Sequence, residues 1–272
     1  MSVWQSDFIA TNGIRLHYTR TGGEKPPLVL AHGVTDDGLC WTPVAEALAS
    51  DYDVIMIDAR GHGLSDAPST GYSPIEQADD LAGLIEALDL KSPIVLGHSM
   101  GAATTLVLAA RYPQVPRAIA LEDPPPWWDP AFERPNNTDW QARMRAWLVP
   151  LKQQTRQAIL EAQRVAEPGW SEAELEPWVD SKLHFSLNFF NDLSDPGLEW
   201  SALLRQVQCP ALLITGDVEA GALVSEQAAV LFQQHMPQAQ IAHIAKAGHS
   251  IRRDRFEQYL QAVQPFLAKH AR

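Results

Sequence analysis

The chain has 272 residues, of which 46% are hydrophobic and 20% are charged. This composition is typical of a globular protein, and the length suits one core with or without an inserted segment. The net charge of −12 disfavours nucleic acid and anionic membranes as partners, and no apolar run is long enough to span a bilayer. Cys40 and Cys209 are too few for a disulfide framework, and the first residues lack the apolar core of a secretory signal. We therefore expect a cytoplasmic protein with reduced thiols.

Short apolar runs alternate with helical patterns along most of the chain, which predicts an α/β fold with a largely parallel sheet and helices on both faces. Asn12-Gly13 predicts a hairpin turn between the first two strands. The predicted strands are Ser6 to Ala10, Ile14 to Thr19, Leu28 to Ala31, Val54 to Ile57, Pro93 to Leu96, Arg117 to Leu121, Pro210 to Thr215 and Gln240 to Ile244. Four helices are predicted in the core. The first has Thr42 as its N-cap, the second runs from Ser73 to about Leu90, the third runs from Met100 to Arg111, and the last runs from an Asp254 cap to Ala268.

The alternation stops between Asp123 and about Arg205, where three prolines precede a helical pattern that holds seven of the nine tryptophans. We interpret residues 124–204 as a helical cap inserted into a core formed by residues 1–123 and 205–272. Trp127, Trp128 and Trp147 are candidates for lining a substrate pocket. The alternative is that these tryptophans only pack the inserted helices together, because large aromatic residues serve mainly in burial.

The motif Gly97-His98-Ser99-Met100-Gly101 follows a predicted strand and opens a predicted helix. A sharp turn between strand and helix would expose the Ser99 hydroxyl and would require small residues at the two glycines. The helix N-terminus would also place amide groups where negative charge develops. The motif therefore predicts a nucleophilic serine, with His98 in a structural role.

A serine nucleophile needs a base, and His249 is the best of the nine histidines because it follows the last strand beside Gly248. A third group must orient the imidazole. Asp217 is our candidate because it follows the strand that ends at Thr215, and its place gives the chain order serine, aspartate, histidine. Asp123 and Glu122 are rivals at the end of the preceding strand.

Two backbone amides are predicted to form the oxyanion hole, those of Met100 and of Val34, which follows His32-Gly33. The polar segment from Asp58 to Ser65 lacks the spacing of a dinucleotide motif, so we interpret it as a tight turn in which Asp58 pairs with Arg60. The sequence suggests no metal site.

Together these motifs resemble those of the α/β-hydrolase fold superfamily over nearly the whole chain. The resemblance implies an eight-stranded, mostly parallel sheet with a helical cap. It also implies hydrolysis through an acyl-serine without a cofactor. Members that resemble haloalkane dehalogenases and epoxide hydrolases carry aspartate where this chain has Ser99, and Val34 replaces a proline that is frequent in epoxide hydrolases and perhydrolases.

Three functional hypotheses follow. The first is a serine esterase for small to medium, fairly apolar esters, including lactones and polyesters. The second uses the same triad for perhydrolysis or for carbon–carbon cleavage of a dioxo-acid. A dioxo-acid is anionic and would need cations near the site. The candidate cations are Arg134, Arg143, Arg145, Arg156, Arg252 and Arg253, although we expect these arginines on the surface. The third is a ligand-binding protein that keeps the fold without catalysis.

Overall fold

The computed structural model describes residues 4–133, 137–191 and 197–271. Its strands are β1 (Gln5–Thr11), β2 (Ile14–Arg20), β3 (Pro27–Ala31), β4 (Asp53–Ile57), β5 (Ile94–His98), β6 (Ala118–Glu122), β7 (Ala211–Thr215) and β8 (Gln240–His243). They form one eight-stranded sheet in the order β1-β2-β4-β3-β5-β6-β7-β8. The pairs β1–β2 and β2–β4 are antiparallel and the rest are parallel. The predicted fold class is confirmed.

Local sequence explains the hairpin and the buried strands. Asn12 and Gly13 both have positive φ, 48° and 77°, as a tight hairpin turn requires. Alternate residues of the central strands face opposite layers, so that Val29 packs in one core cluster and Leu30 in the other. Because both faces are covered, these strands are apolar throughout.

The helices are α1 (Thr42–Leu48), α2 (Pro74–Ala87), α3 (Met100–Arg111), α4 (Asn137–Leu151), α5 (Arg156–Ala166), α6 (Glu172–His184), α7 (Trp200–Gln206), α8 (Glu226–His235), α9 (Ile251–Asp254) and α10 (Phe256–His270). Helices α2, α3, α7 and α8 pack on one face of the sheet, and α1 and α10 pack on the other. None of the helices among the described residues is long and apolar enough to cross a membrane.

Helices α4, α5 and α6 come between β6 and β7 and are called the insertion below. Helices α5 and α6 pack on each other through Ile159, Leu160, Leu175 and Val179. Helix α7 already belongs to the main core, since Leu203 and Leu204 are buried there. The division of the chain at residues 124 and 204 stays a prediction.

Two predicted helix starts differ from the structure. Trp41, not Thr42, precedes α1. Asp254 does not cap the last helix, because α10 starts after Arg255. The Asp254 carboxylate instead accepts a hydrogen bond from the Gly248 amide at 2.7 Å. This bond fixes the loop that carries His249.

Candidate active site

Ser99 lies at a strained turn between β5 and α3. Its φ of 52° and ψ of −114° are rare for a residue with a side chain. A Cβ atom at Gly97 would lie 2.3 Å from the Gly101 oxygen, and one at Gly101 would lie 2.2 Å from the Ala31 oxygen. These close approaches explain why both positions need glycine, as the motif predicts.

His249 follows β8 and contacts Ser99 directly. Its Nε2 atom lies 2.9 Å from the Ser99 hydroxyl oxygen. The carbonyl oxygen of His249 accepts a bond of 3.0 Å from Nε2 of His98, a fully buried imidazole. Burial lowers the pKa of His98 well below its ordinary value, so this side chain is neutral and supports the loop. The structure thus brings Ser99 and His249 together.

Asp123, and not Asp217, orients His249 in the structure. Its Oδ2 atom lies 2.7 Å from His249 Nδ1, and its side chain is inaccessible to solvent. The amides of Leu223 and Val224 also donate to this carboxylate. Since a carboxylate only accepts, Nδ1 carries the proton and Nε2 is left to accept one from Ser99.

The expectation for Asp217 is therefore corrected. Its Oδ1 atom lies 3.0 Å from His243 Nε2, and its Oδ2 atom accepts from the Lys246 amide at 2.7 Å. The reason is strand order. β5 pairs directly with β6 so that His98 is opposite Glu122, which puts Asp123 beside Ser99, whereas β7 is one strand further away. Glu122, the other rival, is buried and bound to Arg252.

The loop after β3 packs against the nucleophile. A Cβ atom at Gly33 would lie 2.7 Å from His98 Nδ1 and 3.2 Å from Ser99 Cβ. His32 bridges this loop to the one after β4, with 2.8 Å from its Nδ1 to the Gly33 oxygen and 3.0 Å from its Nε2 to the Ala59 amide. Met100 is the first residue of α3, where amides have no acceptor within the helix. The oxyanion role of the Val34 and Met100 amides stays a prediction.

An aromatic cluster borders this site. Phe185, Phe189 and Phe190 pack with Tyr72, Leu148 and Met100, and Val34 lies against them. The three tryptophans predicted to line a pocket do not belong to this cluster, and their role stays a prediction. Trp128 is buried in the main core against Phe232, Trp127 packs on Trp200, and Trp147 is 41% exposed.

The turn from Asp58 to Ser65 also differs from its prediction. Arg60 pairs with Asp80 at 2.6 Å, and Asp58 binds His17 instead. His17 Nδ1 lies 2.8 Å from Asp58 Oδ2, and its Nε2 lies 2.7 Å from the hydroxyl oxygen of Ser6. The hydrogen-bonded series Ser6–His17–Asp58, at the edge of the sheet formed by β1 and β2, thus has the same order as Ser99–His249–Asp123.

Comparison with known proteins agrees with this architecture. The profile of the alpha/beta hydrolase fold family matches residues 26–252, so the chain belongs to that family. It is 28% identical to N-formylmaleamate deformylase of Pseudomonas putida over 95% of both chains. It is 26% identical to epoxide hydrolase 1 of Caenorhabditis elegans, covering 98% of this chain and 71% of that one. A crystal structure of E-2-(acetamidomethylene)succinate hydrolase superposes with a TM-score of 0.80 at 24% identity, covering 98% of this chain and all of the other.

Proposed function

We propose that this α/β hydrolase is a serine esterase that cleaves small to medium, neutral and fairly apolar carboxylic esters, including lactones. The observation that carries the proposal is the hydrogen-bonded series Ser99–His249–Asp123. A serine hydroxyl becomes an effective nucleophile when a positioned imidazole takes its proton. A buried carboxylate on Nδ1 then stabilises the imidazolium that forms.

The proposed reaction has two halves. The Ser99 oxygen attacks the ester carbonyl while His249 Nε2 accepts the serine proton, and the amides of Met100 and Val34 donate to the oxyanion. His249 then gives the proton to the leaving alcohol, which departs and leaves an acyl-Ser99 ester. Water, deprotonated by His249, attacks this ester and releases the acid and the free serine.

The identity of the nucleophile disfavours epoxide opening. An aspartate that attacks an epoxide carbon forms an ester, which water can cleave. Ser99 would form an ether, which the same machinery cannot hydrolyse. Acyl transfer is therefore the chemistry that Ser99 supports, despite the similarity to an epoxide hydrolase.

The side chains next to the site favour a neutral substrate. A cluster of buried aromatic and aliphatic side chains packs against Met100 and Val34. Among the arginines considered for binding an anion, Arg156 pairs with Asp180 at 2.6 Å, and Arg252 and Arg253 are buried in ion pairs. Arg145 lies 5.3 Å from the centre of the Phe190 ring and binds Asn191. Arg143 is exposed, and Arg134 lies outside the described residues.

A second candidate is hydrolysis of an N-acyl group on a small acid. The similarity to N-formylmaleamate deformylase over nearly the whole chain favours it. The same triad serves, because an amide carbonyl also forms a tetrahedral oxyanion and His249 would protonate the departing nitrogen. Arg145, which lies 5.3 Å from the centre of the Phe190 ring, is the cation that we propose for binding the acid group.

Hydrolysis of p-nitrophenyl acetate, butyrate and octanoate tests the proposal, beside N-formylmaleamate as the second substrate class. Wild type, Ser99→Ala and Ser6→Ala are compared. We expect ester turnover by wild type, a loss of about 10⁶-fold in kcat for Ser99→Ala, and a change below about twofold for Ser6→Ala. Turnover of N-formylmaleamate with no ester hydrolysis would replace the first candidate by the second. Full ester activity of Ser99→Ala would contradict both.

A further inference from the structure

The loop that carries Val34 contains a turn that its sequence does not favour. The Asp36 amide donates to the Gly33 oxygen at 3.2 Å, and Thr35 between them has a φ of 68°. A β-branched residue is strained in this left-handed region, where glycine or asparagine is usual. Such a conformation persists only where surrounding contacts hold it.

Lys182 of the insertion supplies such contacts. Lys182 belongs to helix α6 of the insertion, and its side chain is 1% exposed. The ammonium donates to the Thr35 carbonyl oxygen at 2.9 Å and to Asp36 Oδ1 at 2.8 Å. It also lies 4.7 Å from the centre of the Trp178 ring. A buried lysine is rare unless it is paired, and this one is paired with the strained turn itself.

The Asp36 carboxylate has two cationic partners besides Lys182. Its Oδ2 atom lies 3.3 Å from Arg252 and 3.1 Å from Arg253, and Arg253 pairs in turn with Glu174 of α6 at 3.0 Å. Burial by itself would raise the pKa of Asp36, but Arg253, Lys182 and Arg252 together hold it well below the ordinary value. Without Lys182 the carboxylate would keep two arginines, whereas the Thr35 carbonyl would lose the ammonium.

We propose that Lys182 is a positioning residue for hydrolysis, which holds the Thr35 peptide in its left-handed turn so that the Val34 amide points at the oxyanion. This inference rests on the proposed function. The strength of a hydrogen bond falls steeply with misalignment, and loss of one oxyanion donor lowers kcat by about 10² to 10³-fold. A turn that relaxes for part of the time should cost less than complete loss.

The test compares Lys182→Met with two controls on the insertion. Lys152→Met removes a lysine whose ammonium donates to the carbonyls of Lys182 and Phe185, at 3.1 and 2.9 Å, and not to the Val34 loop. Glu174→Gln removes a buried charge from the same helix and network. Thermal unfolding establishes that each variant is folded at the assay temperature.

We expect Lys182→Met to lower kcat by about 10- to 100-fold on the best p-nitrophenyl ester, with KM changed by less than about threefold. An alkyl trifluoromethyl ketone, which forms a hemiketal oxyanion on a serine, should lose affinity by the same factor as kcat/KM. The two controls should keep kcat within about twofold of wild type. Amide hydrogen exchange in a peptide spanning residues 30–38 should be faster in Lys182→Met than in either control.

An unchanged kcat in folded Lys182→Met, or an equal loss in all three variants, would overturn the inference and leave the proposed function standing. If wild type hydrolyses no ester, the proposed function fails instead. Hydrogen exchange then decides the holding role by itself, and unchanged exchange in Lys182→Met would overturn it.

Discussion

Within the part of the protein that the structure describes, two hydrogen-bonded Ser–His–Asp series have their side chains arranged alike. In the first, the serine–histidine and histidine–aspartate distances are 2.9 and 2.7 Å, for Ser99, His249 and Asp123. In the second they are 2.7 and 2.8 Å, for Ser6, His17 and Asp58. The same ring nitrogens face the same partners in both. Side-chain hydrogen bonds therefore do not distinguish them.

The backbone around each serine does distinguish them. Ser99 has a φ of 52° and is followed directly by the twelve-residue helix α3, with the Gly33 loop packed against it. Ser6 lies within the edge strand β1, opposite Thr19 in a regular antiparallel pair. A nucleophile needs donors for the oxyanion as well as a base, and a helix N-terminus supplies them. The turn at Ser99 and its backbone amides, more than the triad side chains, therefore define the candidate site.

Among the predictions for the two series, we expect the largest change in kcat when Asp123 is replaced, with its rival Asp217 as the control. Asp123→Asn should lower kcat by about 10⁴-fold, because an amide on Nδ1 favours the imidazole tautomer that cannot accept the Ser99 proton. Asp217→Asn is the matched control and should stay within about twofold, because Asp217 binds His243 and the Lys246 amide instead. Steady-state kinetics on p-nitrophenyl butyrate measures both. The reverse pattern would restore Asp217 as the triad acid.

In the second series, we expect Asp58 to stabilise the fold. Asp58 is buried and accepts from the amides of Gly38 and Leu64, each at 2.8 Å, as well as from His17. Asp58→Ala would leave these donors without an acceptor and should lower the free energy of unfolding by roughly 3 kcal/mol or more. Asp66→Ala removes an exposed pair with Arg15 and should cost below about 1 kcal/mol. Urea unfolding measures both, and equal losses would contradict the account.

Acid pH should lower the free energy of unfolding through two buried histidines, His62 and His32. Burial lowers the pKa of His62 to about 3 from the ordinary 6.5. Between these values the unfolded chain binds a proton that the folded chain does not, so the stability from this group is full above pH 6.5 and falls as the pH is lowered. The loss is about 1.4 kcal/mol per pH unit, or roughly 2 kcal/mol at pH 5. His32, also buried with a lowered pKa, adds to it in the same direction.

Urea unfolding at pH 7, 6 and 5 checks this expectation, with His62→Phe as the variant. The variant should show a shallower fall, because one titrating imidazole is gone while the ring still packs on Phe185 and Phe189. An identical pH dependence would show that His62 titrates alike in both states.

Much of the fold was predictable because its signals are local. Apolar runs bounded by turn residues give the strands, and Gly97 to Gly101 marks the turn at Ser99. The prediction that Asp217 orients His249 is wrong, because the order of residues along the chain does not reveal that β6 lies directly beside β5. The sequence also does not predict that the side chains of Arg252 and Arg253 are buried, since charged residues are usually exposed.

The insertion was the least predictable region. Which of its aromatic residues reach the site depends on how its helices dock, and no local pattern separates Phe185 from Trp147. Lys182 gave no sign of burial in sequence, because its partner Asp36 is 146 residues away.

Covalent labelling tests the central claim most directly, since it asks which serine is the nucleophile. Wild type is treated with an alkyl fluorophosphonate, and peptide mass spectrometry then locates the adduct. We predict one adduct per chain on Ser99, none on Ser6, and none in Ser99→Ala. An adduct on Ser6, or equal labelling of Ser99→Ala and wild type, would contradict the account.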